Sequence, residues 1–447
     1  MFSKSKDHNP NYLATIVKLE NVHKHSNADR LQCVSIFANN VVTGLDAKDG
    51  DIYVYFPLES SISKEYLSYS NSFEDTSLNK DTSKKGFFNK HGRVRAINLR
   101  GEKSEGYIIP KASLEDFVKN HLKEKKFEIN ESHIGIDFDE VCNHLICKKY
   151  IPSNIRMEGS SNKKKSKGNV KKYISRLVEG QFHFHYDTEQ LKRNMNKINP
   201  DDYISITNKL HGTSFVVSHV LTKKKLGLLD RIFKKLGGSI IDVDYGMLYS
   251  SRCVIKNENM IEEFQKEGYY GSDVWKIVAD KLFPAMAKGI SVYGEIVGYT
   301  PNGKYIQKDY DYGCVPNELD FYIYRVTSTT SDGHVYEFSH QQVEEWCRTH
   351  GFKMVELYYY GKAKDLFPDI SVTEHWHENY LERLCNTYLE KDCHICKNKV
   401  PDEGIVLRKD SVHDFEAFKL KSFKFLKKES EELDSGEVDI ETAQSVS

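Results

Sequence analysis

The chain has 447 residues, 39% hydrophobic and 29% charged, with 64 Lys plus Arg against 65 Asp plus Glu. That length suits two or three domains with sizeable cores, and no stretch approaches the run of about 18 apolar residues that a membrane span requires. The start, Met1-Phe-Ser-Lys-Ser-Lys, lacks the apolar run of a signal peptide, and nine cysteines scattered from Cys33 to Cys396 do not resemble a disulfide framework. A soluble, cytoplasmic protein of a reducing compartment with no membrane partner is expected.

In chain order, the first elements are short strands. The segments starting at Tyr12, Leu31, Asp51 and Gly92 are rich in β-branched and aromatic residues. With one helix near 114–121 they suit a small OB-type barrel over 1–152. The Ser/Asn/Asp/Lys-rich stretch 57–90 reads as a long loop rather than core. Residues 153–172, with six lysines from Lys163 to Lys172, read as a linker, the alternative being a basic arm on phosphates.

Beyond the linker the pattern is α+β. Strands are expected at 203–208, 215–220, 290–297, 320–326, 404–408 and 417–425, and helices at 273–288, 340–350 and 372–389. A basic insertion, 221–243, carries Leu229, Ile232, Phe233 and Leu236 at helical spacing. Such a stripe is expected to be a packed face. From Glu429 to Glu441 there are seven acidic residues and no basic ones, so 429–447 reads as a solvated, disordered end. Without it, 1–428 carries a net charge of about +6, compatible with a polyanionic partner.

Four segments of the second half carry candidate chemistry. In Ile204-Ser-Ile-Thr-Asn-Lys209-Leu-His211-Gly212-Thr, strand alternation places Ser205, Thr207 and Lys209 on one face, and the lysine ends the strand just before a glycine turn. A lysine is a nucleophile only when neutral, and nearby cations lower its pKa. Tyr293-Gly-Glu295 puts a carboxylate beside a tyrosine. Asp402-Glu403-Gly404 opens an apolar strand with an acid. In Phe418-Lys419-Leu420-Lys421, two lysines share a face and repel unless an anion lies between them, for which phosphate is the natural candidate. Each segment alone is an ordinary strand with a polar face.

Together and in this order they resemble the nucleotidyltransferase motifs of ATP-dependent RNA ligases, with Lys-x-His-Gly-Thr of the RNA ligase 2-like kind. Ser250-Ser251-Arg252 resembles the family's arginine motif, and Asp320-Phe-Tyr-Ile-Tyr324 the motif whose aromatic ring stacks on adenine. His25-Ser-Asn-Ala-Asp-Arg, Arg93-Val-Arg-Ala-Ile-Asn-Leu-Arg-Gly-Glu and 135–152 resemble the OB domain that precedes the catalytic domain in one branch. The resemblance implies an OB-type barrel, then an adenylylation domain over 173–428 built of ATP-grasp-like antiparallel sheets plus helices. It implies ATP and Mg²⁺ or Mn²⁺ as cofactors, and RNA with nicked or bridged ends as partner. Lys209 would become the lysyl-AMP, and His211 would assist later steps or pyrophosphate departure. Arg252 and Glu295 would contact the ribose, Tyr324 would stack on adenine, Glu403 would hold metal, and Lys419 and Lys421 would bind the α-phosphate.

Two rivals remain open: another covalent nucleotidyltransferase (a DNA ligase or capping guanylyltransferase), and a nucleic-acid-binding protein with an inactive pocket. Cys393-His-Ile-Cys396 has metal-ligand spacing, but no second Cys-x-x-Cys is present to complete four ligands, so it is not read as a zinc site.

Overall fold

The computed structural model describes residues 1–152, 176–224, 226–257, 272–411 and 413–436. The expected linker, 153–172, lies outside the described residues.

In the first 152 residues the strands pair antiparallel in five small sheets and do not join into one closed sheet among the described residues. The largest has the order Gly106–Pro110, Ile52–Pro57, Ala14–Lys18, Asp137–Phe138. Alternation along Ile52–Pro57 buries both of its faces: Val54 and Phe56 enter one core, Tyr53 and Tyr55 another. The stretch 57–90 is not the solvated loop expected. It folds into the strand Ser60–Ile62 and the helix Lys64–Tyr69, and it delivers Tyr66, Leu67, Phe73 and Phe88 to the core. Four large apolar side chains suffice to anchor it, despite its polar composition.

The second half is built on two five-stranded sheets. One has the order Glu189–Gln190, Glu416–Lys421, Gly404–Lys409, Tyr203–Lys209, Leu357–Lys362, and the other Val243–Ser250, Thr213–Lys223, Ile290–Gly298, Leu319–Thr329, Val335–Glu337. In the first sheet Ile204, Ile206, Ile405, Leu407, Phe418 and Leu420 pack with the helix Trp376–Tyr388. In the second, Phe215, Val217, Val292, Ile296, Phe321 and Ile323 pack with Val274–Leu282 and His340–His350. The opposite residues of these strands face a shared cleft.

Three further expectations are corrected. The last strand ends at Lys421, and Phe425 belongs to the helix Phe423–Asp434, whose start is capped by the Ser422 side chain. That helix takes in the beginning of the acidic stretch, 429–434, which is therefore ordered; the rest from 437 lies outside the described residues. The stripe on the helix Leu228–Lys235 is not packed: Leu229, Ile232, Phe233 and Leu236 are exposed.

The two halves meet through polar contacts. Arg93, 1% exposed, donates to the Ser430 carbonyl at 2.6 Å and pairs with Asp434 at 3.0 Å. Arg193 donates to Thr15 Oγ1 and Asp137 Oδ1, both at 2.6 Å.

Candidate active site

The cleft lies where the chain passes from one sheet to the other. Lys209 ends a strand of the first sheet and Thr213 begins a strand of the second. Gly212 makes the crossing possible: a Cβ there would stand 2.2 Å from the Ile296 carbonyl oxygen and 2.9 Å from Glu295 Cγ. No side chain fits. The Gly212 N–H donates to Glu295 Oε1 at 3.1 Å, and the His211 N–H donates to Tyr312 Oη at 2.7 Å. The His211 ring lies edge-on to Tyr310 and to Phe425, with both centroids at 4.9 Å.

Glu403 is the electrostatic centre. Its side chain is 3% exposed, and Oε1 sits 2.8 Å from Lys209 Nζ and 3.1 Å from Lys421 Nζ. Burial alone would raise its pKa, but Lys209 and Lys421 outweigh burial and hold the carboxyl below its usual range. Of the two strand lysines, Lys421 thus has an anion of the protein's own beside it. Lys421 also lies 3.6 Å from Glu429; burial pulls its pKa down, yet Glu429 and Glu403 raise it overall. Lys419 goes the other way: burial, then Lys421 and Lys209, push it down to about 7. Glu403 Oε2 is buried with no hydrogen-bond partner among the described residues. An orphaned carboxylate oxygen facing a cleft has the chemistry of a divalent-cation ligand, so a metal ion fits here.

The second sheet supplies Glu295, Arg252 and Tyr324. Arg252 pairs with Asp187, and Tyr324 Oη lies 2.6 Å from His185 Nδ1. Against Asp187, burial works to raise the pKa, but Arg252 and His185 bring it below the ordinary value. All eight residues singled out in the sequence, Lys209, His211, Arg252, Glu295, Tyr324, Glu403, Lys419 and Lys421, line this one cleft. Tyr12, Glu59, Lys149 and Tyr150 of the first half line it too. The arrangement can hold a polyphosphate among cations beside a lysine nucleophile, with aromatic surface at one end.

Sequence reasoning gave no role to His185, Asp187 or Tyr312. The run Phe182-His-Phe-His-Tyr-Asp carried a signal for the first two, since rings and imidazoles in such close alternation are unusual in solvated chain.

The chain is similar in structure to Naegleria gruberi RNA ligase. Against that protein with PPi the TM-score is 0.55 at 16% identity, covering 94% of this chain and 99% of that one. Against a mutant form in the apo state it is 0.54 at 16% identity, covering 95% and 99%. Against a mutant form with ATP and Mn it is 0.52 at 16% identity, covering 93% and 98%. At such identities the likeness is one of fold. No curated protein matches the chain in sequence. The family model described as RNA ligase matches residues 202–426, which hold every one of the eight residues above. With half of its length matched by that model, the chain belongs to the RNA ligase family.

Proposed function

We propose that the protein is an ATP-dependent RNA ligase that joins a 3′-hydroxyl to a 5′-phosphate at nicked or bridged ends, through an adenylate on Lys209. The observation that carries this reading is the pairing of Lys209 and Lys421 on the buried carboxylate of Glu403, with Lys419 close enough to both amines to feel their charge. The Lys209 amine attacks the α-phosphorus of ATP; a P–N bond forms as the P–O bond to pyrophosphate breaks. The adenylyl group then passes to a 5′-phosphate, and the 3′-hydroxyl displaces AMP as the phosphodiester forms.

Each residue has work in this scheme. Lys419 and Lys421 stand on the strand beside the Lys209 amine and neutralise the α-phosphate. Tyr324 offers its ring to adenine, Glu295 and Arg252 hold the ribose, and His211, fixed between two rings, assists pyrophosphate departure or the later steps. Glu403 would hold Mg²⁺ or Mn²⁺ through its free oxygen, and the ion when bound supplies positive charge to the phosphates. The Naegleria neighbours with ATP and Mn agree with that choice. Residues 1–152 act as an OB-type module and 173–428 as the adenylylation domain.

The test is a pulse with α-labelled ATP and Mn²⁺, then a chase with nicked duplexes. The reading expects label on the protein, then on a 5′-phosphate end, then release as AMP with joining where the 3′-hydroxyl strand is RNA. Equal sealing of all-DNA nicks contradicts RNA specificity, and labelling by GTP alone contradicts ATP as substrate.

A further inference from the structure

Five of the eighteen large apolar side chains exposed among the described residues fall within residues 229–241. They are Leu229 at 81%, Ile232 at 48%, Phe233 at 55%, Leu236 at 80% and Ile241 at 78% exposed. Leu229, Ile232, Phe233 and Leu236 follow the i, i+3, i+4, i+7 spacing, so the helix Leu228–Lys235 shows one continuous apolar face to water. The helix has a defined end: Gly237 takes φ +85°, and the Gly238 N–H donates to the Phe233 carbonyl at 3.0 Å. A Cβ at Gly238 would stand 2.1 Å from the Phe233 ring, so the chain turns back directly beneath that ring.

Around this face the sequence is strongly cationic. Residues 223–236 hold Lys223, Lys224, Lys225, Arg231, Lys234 and Lys235 against the carboxylate of Asp230, and of these lysines Lys224 pairs with Asp244 on the returning strand at 3.5 Å. Position matters as well. The helix lies in the connection between the strands Thr213–Lys223 and Val243–Ser250, whose other ends, Thr213 and Ser250, adjoin Gly212 and Arg252 at the cleft. Eleven residues of strand, at about 3.3 Å each, carry the connection on the order of 30 Å from the cleft. A surface docked there leaves the cleft open.

We propose that this helix docks the protein on an anionic lipid surface, with the apolar face in the acyl boundary and the flanking lysines on the headgroup phosphates. The observations favour lipid over RNA. Single-stranded RNA is held by cations and by flat rings that stack on bases, whereas three of the four residues on this face are aliphatic and have no base to contact. An exposed aliphatic face bordered by lysines is the pattern of a helix lying in a membrane interface, where apolar burial and headgroup attraction act together. This revises the expectation, drawn from the sequence, of a packed stripe and no membrane partner. It does not depend on the reading of the cleft.

The test is flotation of the full-length protein with vesicles of phosphatidylcholine containing phosphatidylserine, or of phosphatidylcholine alone. Binding to the serine-containing vesicles is expected to exceed binding to the neutral ones at least tenfold and to fall with salt. Leu229→Ser combined with Phe233→Ser and Leu236→Ser should remove it without lowering the melting temperature, since these side chains pack on little. Lys223→Gln with Lys224→Gln and Lys235→Gln should weaken it several-fold. No binding to either vesicle, or equal binding by the serine variant, overturns the proposal. So does a result in which the serine variant loses RNA affinity or self-association while vesicle binding is unchanged, which would assign the face to RNA or to a second copy.

Discussion

Lys209 and Lys421 share one buried carboxylate, Lys419 lies near both amines, and their differing environments give the three lysines different work. Lys419, pushed down to about 7 by burial and by its neighbours, is partly neutral near neutral pH. A bound phosphate restores its charge, so nucleotide binding should take up a proton. At pH 8 the uptake should approach about one proton and at pH 6 it should be small, because the amine is already charged there. Titration calorimetry in buffers of different ionisation enthalpy measures this, and Lys419→Arg should cancel the difference between the two pH values. The same shift has a sign for stability. Between about pH 7 and 10 the unfolded chain holds a proton at Lys419 that the fold has lost, so this residue's contribution favours the fold as pH rises. Tyr324 carries a second prediction. Its hydroxyl bonds His185, so Tyr324→Phe loses one hydrogen bond, worth about 1 kcal/mol, and should raise the KM for ATP about fivefold. His185→Ala should act alike, while Tyr324→Leu, which also loses the ring, should cost much more. Equal losses in Tyr324→Phe and Tyr324→Leu would refute stacking as the role of the ring. The sequence made these residues legible through strand alternation, which sends Lys209, Lys419 and Lys421 to the side opposite Ile206, Phe418 and Leu420. It could not show which partners His185 and Tyr312 take, since these lie 139 and 101 residues away.

Among elements, the helix Phe423–Asp434 joins the cleft to the first half of the chain. At its start Phe425 packs against His211, and farther along Ser430 Oγ donates to Glu59 Oε1 at 3.1 Å and accepts from the Ala96 N–H at 3.2 Å. Ser430→Ala leaves a buried N–H and a half-buried carboxylate each short of a partner, and should cost about 2 kcal/mol in urea unfolding. A loss below a few tenths would mean that water replaces the hydroxyl. The sequence signals for this element were present but outvoted. Apolar alternation through Phe418 and Leu420 suggested a strand running on to Phe425, whereas the Ser422 cap and the pairs Lys427–Glu431 and Lys428–Glu432 favour a helix. The acidic composition from Glu429 onward suggested solvated chain, because composition does not count the arginines that another part of the molecule brings. The stripe on Leu228–Lys235 shows the converse limit: its period was legible, but period alone does not say what covers a face.

At the scale of the molecule, what the sequence hid is how firmly the two halves of the chain meet. Arg93 pairs with Glu59 and Asp434, Arg193 with Asp137, and Lys192 with Glu105 at 3.1 Å. None of these pairings has a sequence pattern, since each joins residues distant in the chain or ordinary on their own strand. Because the contacts are largely polar, water can replace them when one side is removed. Deleting 1–172 should therefore leave lysine labelling by ATP within several-fold of the full chain. Joining of nicked RNA should fall further, most at high salt, because Lys149 and its neighbours no longer border the cleft. Undiminished sealing by the truncated protein across the salt range would remove the first half from the joining reaction. The central claim, however, is that one amine forms the covalent intermediate, and mass spectrometry of the ATP-treated protein addresses it directly. The account predicts an acid-labile AMP adduct on the peptide containing Lys209, absent in Lys209→Ala; an adduct on any other lysine, or label persisting in Lys209→Ala, would contradict it.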